Sequence, residues 1–370
     1  MRGDPSELST VYYVIQSKIA ALAYPGYRKA YKKQNSKPKI KLVAIAKNEA
    51  AYLAEWVYHH LYFGIAAIEV HYNGCIDNTL EVAGVFKKEP VSFINADAVF
   101  ENSRAKPQIE IYRDAFGKAK KEGFDHVMFL DIDEFWVPYD LTTSLPELVQ
   151  SAPYFDVMSF QWANKVQDHE AFSPALGETI NVQPARQLKS VYKSFITPGL
   201  LNPHNIMDNA LIRIDSSFNR FIPTNRYHSL AAKDSLASKA FILHRKFRSQ
   251  LEYIASLDRG VTARGKRVAS KFKSNRAGFE NKKTFEVVAF PAQSLANYRE
   301  SMTRKLRHLE EQGILVRARE AVMQRFYNVL DNVRSASPQE SVVIEKILKN
   351  ITLKEANQAL ADFRHRNEKK

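Results

Sequence analysis

The stretch Val127-Met128-Phe129-Leu130-Asp131-Ile132-Asp133-Glu134-Phe135-Trp136 decides how the rest of the chain is read. Four apolar residues stop abruptly at three carboxylates. A short apolar run of this kind reads as a buried strand of a parallel sheet. Buried charge without a partner is costly, so carboxylates clustered at the strand's carboxyl end need a ligand or a counter-charge. Residues two apart in a strand share a face, which lets Asp131 and Asp133 point at one ligand. Paired carboxylates of that kind hold a hard divalent cation, and such a cation commonly holds a diphosphate.

Working outward, Lys41 to Ala46, Ala67 to Tyr72 and Val91 to Asn95 read as three more strands. Helices alternate with them. One carries Leu53, Trp56, Val57, His60 and Leu61 on a single face, with Asn48 as its expected N-cap and Gly64 as its stop. A second runs from Asp77 or Asn78 to about Phe86, and a third from about Lys106 to Glu122. Strands alternating with helices predict a doubly wound, mostly parallel α/β sheet with right-handed crossovers. Ligands bind such sheets outside the carboxyl ends of the strands. Polar residues gather at all four ends: Lys47 to Glu49, Tyr72 to Asp77, Ala96 to Phe100, and Asp131 to Glu134.

Beyond Trp136 the prolines break the chain into short elements, among them expected strands over Asp156 to Trp162 and Ser190 to Ile196. From Ser294 the pattern is helical, with Leu295, Tyr298, Met302, Leu306 and Leu309 in one stripe and an interruption at Ser335 to Pro338. These readings divide the chain into an N-terminal helix and linker over 1–38, an α/β domain over 39–290 and a helical extension over 291–370. The N-terminal stripe Leu8, Val11, Tyr12, Ile15, Ile19 and Leu22 is expected to pack against the domain.

Of 370 residues, 45% are hydrophobic, enough for a substantial core. The single cysteine, Cys75, excludes an internal disulfide and fits a reducing compartment. No apolar run reaches the length of a transmembrane helix, and MRGDPSELST lacks the pattern of a signal peptide, so a cytoplasmic location is expected. The net charge of +14 points to an anionic partner. Arg264, Lys266, Arg267, Lys271, Lys273 and Arg276 follow one another with no intervening acid.

The ordered set VAIAKNEAAYLAEWVYHHLYFGI, IEVHYNGCIDNT, MFLDIDEFWVP, KSVYKSFITPGLLNPHN and HRKFRSQLEYIASLDRG resembles the GT-A glycosyltransferases, in the branch linking family 2 with the family-92-like enzymes. It spans about residues 40 to 260. The resemblance implies a GT-A-like fold, a nucleotide-sugar donor (UDP- or GDP-sugar), Mn2+ or Mg2+, and transfer to a glycan or glycolipid hydroxyl. Matched position by position, it implies that Asp131 and Asp133 are the DxD pair, Asp133 touching the metal and Asp131 the ribose or the metal. It implies that Asn48, Glu49, Asn73, Asp77, Gln108 and Tyr112 line the donor, and that His204 or His244 touches metal or diphosphate. Tyr72 stands where the family usually has Asp, and Cys75 where it has Ser.

A cation at the diphosphate stabilises the departing nucleoside diphosphate. Lys193 and Arg248 are expected to add positive charge there. Inversion, which the likeness favours, needs a carboxylate to take the acceptor proton, and Asp168, Glu170 and Asp208 are the candidates. A haloacid-dehalogenase-like phosphatase also opens on an apolar strand ending Asp-x-Asp, but expects Thr or Val where this chain has Phe135. Nucleic-acid binding is suggested by charge alone, with no accompanying motif. Polysaccharide or glycolipid assembly at the inner membrane face, with peripheral contact to anionic lipid, is the expected setting. Trp56, Trp136, His59 and His60 are expected to be core or packing residues.

Overall fold

The computed structural model describes residues 14, 15, 18, 19, 21–26, 36–103, 106–202, 204–207, 210–221, 236, 239–258, 272, 273, 275–280 and 284–368. The first half is β1 (Ile40–Ala46), α1 (Ala50–Tyr62), β2 (Ala67–Tyr72), α2 (Thr79–Val85), β3 (Val91–Asn95), α3 (Asp97–Asn102), α4 (Pro107–Lys121) and β4 (His126–Phe129). The strands lie in the order β3-β2-β1-β4 and every pairing is parallel. All four carboxyl ends therefore open on one edge. The strand order turns back between β1 and β4, which is where a doubly wound sheet opens its ligand crevice.

The two faces of this sheet are covered differently. Leu42 and Ala44 of β1 pack with Leu53, Trp56 and Val57 of α1. Val43, Val127 and Phe129 pack on the opposite face with Ile109, Tyr112 and Phe116 of α4. Strands covered on both sides need apolar residues at successive positions, which is why β1 and β4 read as continuous runs.

The second half is β5 (Glu134–Pro138), α5 (Leu145–Ser151), β6 (Val157–Val166), β7 (Thr179–Lys193), β8 (Leu200–Leu201), β9 (Ile206–Met207), β10 (Arg213–Asp215), β11 (Ala240–His244), α6 (Gln250–Ser256) and β12 (Glu286–Ala289). The sheet continues β4-β7-β6-β11-β5, with β10 beside β6 and β12 beside β7. The α/β reading with a mostly parallel sheet holds: five of its nine strand pairings are parallel, and each antiparallel one involves β7 or β11. β7 starts well before the expected Ser190. Pro184 does not break it, because Pro184 lies opposite Ala163 at the edge of a bulge in β7, where three residues face one of β6 and a missing N–H is tolerated.

The helical C-terminal extension is α7 (Ala292–Glu311), α8 (Ile314–Ser335), α9 (Ser341–Ile347) and α10 (Lys354–Glu368). Gly313, at φ 68°, splits α7 from α8 inside what the sequence pattern reads as one helical stretch. Tyr298 of α7 is 2.9 Å from His59 Nδ1, and His59 Nε2 is 2.8 Å from the Trp136 carbonyl. His59, His60, Trp56 and Trp136 are all buried, as packing residues should be. The N-terminal stripe departs from expectation. Ile15, Ile19 and Leu22 are exposed rather than packed, at 51%, 57% and 82%, while Leu8, Val11 and Tyr12 lie outside the described residues. Among the described residues no helix is long and apolar enough to cross a membrane.

Candidate functional site

At the β1 end, Asn48 takes φ 57°, a left-handed conformation that asparagine tolerates. It does not cap α1. Glu49 holds the N-cap position, without a side-chain cap bond. The acceptor comes from the neighbouring loop instead: Asp77 Oδ2 accepts from Ala50 N–H at 3.0 Å. Asn48 Oδ1 reciprocates by accepting from Ile76 N–H at 2.8 Å. Asp77 Oδ1 also accepts from Thr79 N–H at 3.2 Å, so one carboxylate sits at the N-terminal ends of α1 and α2. Asn73 is buried beside this exchange, its N–H bonded to Ala46 O. The two turns are thus fastened to one another at the ligand edge.

The Asp131–Glu134 turn comes next. Glu134 is fully buried, and its Oε2 accepts from Asp131 N–H at 2.8 Å. Lys189 of β7, 1% exposed, places Nζ 3.0 Å from Glu134 Oε2 and 3.0 Å from Asp131 Oδ2. Burial works against the lysine's charge, but Asp131 and Glu134 outweigh it and raise its pKa well above the usual range. Burial pushes Glu134 the other way, well above the usual carboxylate range. Asp133 keeps 28% side-chain exposure and lies 3.4 Å from His244 Nε2. Burial would raise its pKa, yet His244, Arg248 and Arg276 hold it well below the ordinary range. Asp133 is therefore ionised and open to a ligand.

This donor set suits a hard divalent cation: two partly exposed carboxylates with an imidazole alongside. Among the described residues no three His, Cys, Asp or Glu side chains form a metal cage by themselves. A cation held by two carboxylates completes its shell with water and phosphate oxygens. His244 is fixed by Asn164, 3.0 Å from its Nδ1. Trp162 packs on both candidate histidines, with ring centroids 4.1 Å from His244 and 5.0 Å from His204. His244 is the one placed against Asp133.

A cleft of about 120 Å³, open to solvent on one side, adjoins the β1 turn. Lys47, Asn48, Glu49, Tyr52, Arg248 and Lys273 line it, with Arg325 of α8 closing the far side. Arg248, at φ 54°, lays its guanidinium 3.3 Å over the Tyr52 ring and puts Nη2 3.3 Å from Glu49 Oε2. Burial raises the Glu49 pKa, and Arg248 opposes the rise. Gln108 Nε2 donates to Tyr112 Oη at 2.9 Å, on α4. Tyr112 is buried, and Asp131 and Lys189 both act on its hydroxyl.

One expected cation is misplaced by the sequence reading. Lys193 aligns with His126 at the amino end of β4, the edge opposite Asp131. Its Nζ lies over the Phe155 ring, and burial lowers its pKa to about 8. Lys189, four residues earlier on the same face of β7, takes the place beside Asp131 and Glu134. Lys189, Tyr52, Trp162 and Arg325 went unread in the sequence. Of the basic run, Lys273 reaches the cleft and Arg276 acts on Asp133, while Arg264 to Lys271 lie outside the described residues.

The three candidate bases differ. Asp168 is buried and bound by Arg245 at 2.8 Å, Lys165 at 3.0 Å and the Ser173 hydroxyl at 2.5 Å. Burial would raise its pKa, but Arg245, Lys165 and Ser173 outweigh that and hold it below the usual range. Glu170 is exposed on the same loop. Asp208 lies outside the described residues.

Residues 43–208 match the family model described as glycosyltransferase family 92. The matched segment takes in the Asn48 turn, the β2 end, Asp131, Asp133, Lys189 and His204, and is a glycosyltransferase domain. No curated protein sequence matches the chain. Among solved structures, a mycobacterial protein is 13% identical at a TM-score of 0.25, over 34% of this chain and 42% of its own. Glucosyl-3-phosphoglycerate synthase from Mycobacterium tuberculosis, in complex with Mn2+, UDP and phosphoglyceric acid, is 12% identical at 0.26, over 42% and 56%. The chain thus spans about half the length of these two. A mannosyltransferase of Pyrobaculum calidifontis, in complex with GDP-Man and Mn2+, is 12% identical at 0.28, over 97% and 96%.

Proposed function

We propose, taking the glycosyltransferase domain at residues 43–208 as the premise, that this chain transfers a sugar from a UDP- or GDP-sugar to a glycan or glycolipid hydroxyl with the help of Mn2+ or Mg2+. The observation that carries the reading is the pair Asp131 and Asp133, part-exposed at the carboxyl end of β4 beside the β1–β4 crevice. Asp133 and His244 would hold the cation, with Asp131 between it and Lys189. The cation supplies charge neutralisation to the leaving diphosphate. Arg248, Lys273 and Arg276 add fixed positive charge on the same side. The nucleoside lies in the Tyr52–Arg248 cleft.

In the transfer, the acceptor oxygen bonds to the anomeric carbon as that carbon's bond to the diphosphate breaks. The bonding pair leaves with the nucleoside diphosphate, and the acceptor proton passes to a carboxylate. In an inverting reaction that base is Glu170 or Asp208, because Asp168 is tied into ion pairs. Peripheral contact with an anionic membrane is supported by exposed Ile15, Ile19 and Leu22 and by the net charge of +14.

The test is calorimetric titration of UDP and GDP with and without Mn2+. Nucleotide binding should require the metal and vanish in Asp133→Ala. Metal-independent binding that Asp133→Ala leaves unchanged overturns the site. A thermal-shift screen of nucleotide sugars then identifies the donor, since ligand at about a hundred times its Kd adds about 2.7 kcal/mol of stability.

A further inference from the structure

A second and larger cleft, about 360 Å³, lies between α1, the 172–176 loop, α7 and α8. It is separate from the Asp131/Asp133 centre and shares only Tyr52 with the nucleotide cleft. Its walls are apolar: Tyr52, Phe172, Leu176, Met302, Leu306 and Leu315. Its polar groups are charged, and arginine predominates. Arg245, Arg299 and Arg319 line it against Glu55 and Glu310.

The acids do not satisfy those arginines. Arg245 stands 3.7 Å from Glu55 and Arg319 stands 3.9 Å from Glu310, both beyond hydrogen-bond reach. Arg299 approaches exposed Glu178 at 3.9 Å. Arg245 is 3% exposed, and although its Nη2 binds Asp168, its Nε is buried without a partner among the described residues. A buried guanidinium N–H facing no acceptor is costly, and an anionic ligand would relieve it. Glu55 is occupied by the Ala175 N–H at 2.7 Å, so its charge is directed at the loop backbone.

An apolar trough with guanidinium donors calls for a ligand of two parts. Ligand sites of about 300–1,000 Å³ are typically apolar with a few placed polar groups, and this cleft has that make-up. We propose that it binds a single-chain amphiphile with an anionic head of the phosphate-monoester type. The alkyl chain lies along Leu176, Met302, Leu306 and Leu315, and the head meets Arg245, Arg299 and Arg319. The proposal is independent of sugar transfer, because it stands on the lining of this cleft alone.

The experiment is calorimetric titration of the full chain with decyl phosphate, octyl phosphate, decyl maltoside and inorganic phosphate, each below micelle formation. Decyl phosphate should bind one-to-one, about fifteenfold tighter than octyl phosphate, from two buried methylenes at about fourfold each. Decyl maltoside, which has the chain without the charge, and inorganic phosphate, which has the charge without the chain, should each bind at least about tenfold more weakly. Thr303→Trp, which fills the cleft from an exposed α7 position, and Arg319→Glu should each weaken decyl phosphate about tenfold or more. Circular dichroism and urea unfolding confirm that both variants fold. Wild-type affinity in both folded variants overturns the proposal. So does equal binding of inorganic phosphate, which identifies a plain anion site, or of decyl maltoside, which identifies uncharged chain binding.

Discussion

Lys189 Nζ reaches from β7 to within 3.0 Å of Asp131 Oδ2, and the same ammonium neutralises fully buried Glu134. One cation thus orders the turn that carries both DxD carboxylates. Without it, Asp131 and Glu134 would repel each other across a turn whose backbone they already share, through the Asp131 N–H to Glu134 bond.

Lys189→Met should therefore be far more damaging than a change in surface charge. Removing one partner of a buried pair leaves the other uncompensated, at a cost of about 3–5 kcal/mol. Urea unfolding at pH 7 measures this. The pH dependence has a definite sign. Burial holds the Glu134 pKa above its unfolded value even with Lys189 present. A carboxyl raised in the folded state binds more protons there, so its contribution is greatest at low pH and is lost as pH rises. The variant should regain stability as pH falls from 7 toward about 5, and adding Glu134→Gln should restore most of the loss at pH 7. Unchanged stability in Lys189→Met would remove the lysine from the turn's support.

How far the sequence reached follows from which contacts are local. The β1, β2, β3 and β4 strands were legible because each is a short apolar run closed by polar or Gly residues. Their shared edge then followed from parallel topology, and so did the placement of Asn48, Asp77 and Asp131 along it. Lys189 and Lys193 were not separable. They stand four residues apart on one face of the same strand, and only the antiparallel register of β7 on β4 decides which of them meets Asp131. That register is fixed by pairing between distant segments, including a bulge in β7 just after Pro184, and no local signal encodes it. The exchange of side chains between Asn48 and Asp77 was hidden for a similar reason. Each residue reads as a cap for its own helix, whereas Asp77 serves α1 from the next loop.

Asp77 carries a prediction that separates its cap from any direct contact with donor. Asp77→Ala removes acceptors from Ala50 and Thr79 N–H and should cost about 1 kcal/mol, within the 0.5–2 kcal/mol range of lost caps. Asp77→Asn keeps a cap-competent oxygen and should lose only a few tenths of that. Unfolding in urea gives both values. If Asp77→Asn keeps its stability yet loses Mn2+-dependent nucleotide affinity, the carboxylate touches the donor itself.

Acid should destabilise the fold through histidines rather than through the DxD turn alone. Burial lowers the His59 pKa to about 4, against a small opposing effect of its bond to the Trp136 carbonyl. His60 and His126 are lowered well below the usual value by the same cause. A histidine kept neutral in the fold but protonated when unfolded favours unfolding as pH falls. Stability is therefore full above about 6.5 and declines toward pH 4, by on the order of 3 kcal/mol from His59. Urea midpoints at pH 7.5, 6 and 5 check the slope. His59→Gln should flatten it by about one proton's share, and an unaltered slope would place the titrating groups elsewhere.

The proton acceptor can be isolated by comparing three carboxamides. Asp168 is held by Arg245, Lys165 and Ser173, so Asp168→Asn strands two buried cations and should cost about 3–5 kcal/mol of stability. Its rate effect should track that loss of fold. Glu170 is exposed, so Glu170→Gln should change stability by less than about 0.5 kcal/mol. If Glu170 takes the acceptor proton, kcat for sugar transfer falls about a hundred- to ten-thousand-fold in that stable variant. The same fall in Asp208→Asn, with Glu170→Gln unaffected, assigns the base to Asp208. Asp168 leaves its own signature. Its carboxyl lies below the ordinary range, so a base there would keep the acid limb of the pH–rate profile below the usual carboxylate values. An acid limb at that position, lost in folded Asp168→Asn, would return the role to Asp168 and show that its ion pairs open when acceptor binds.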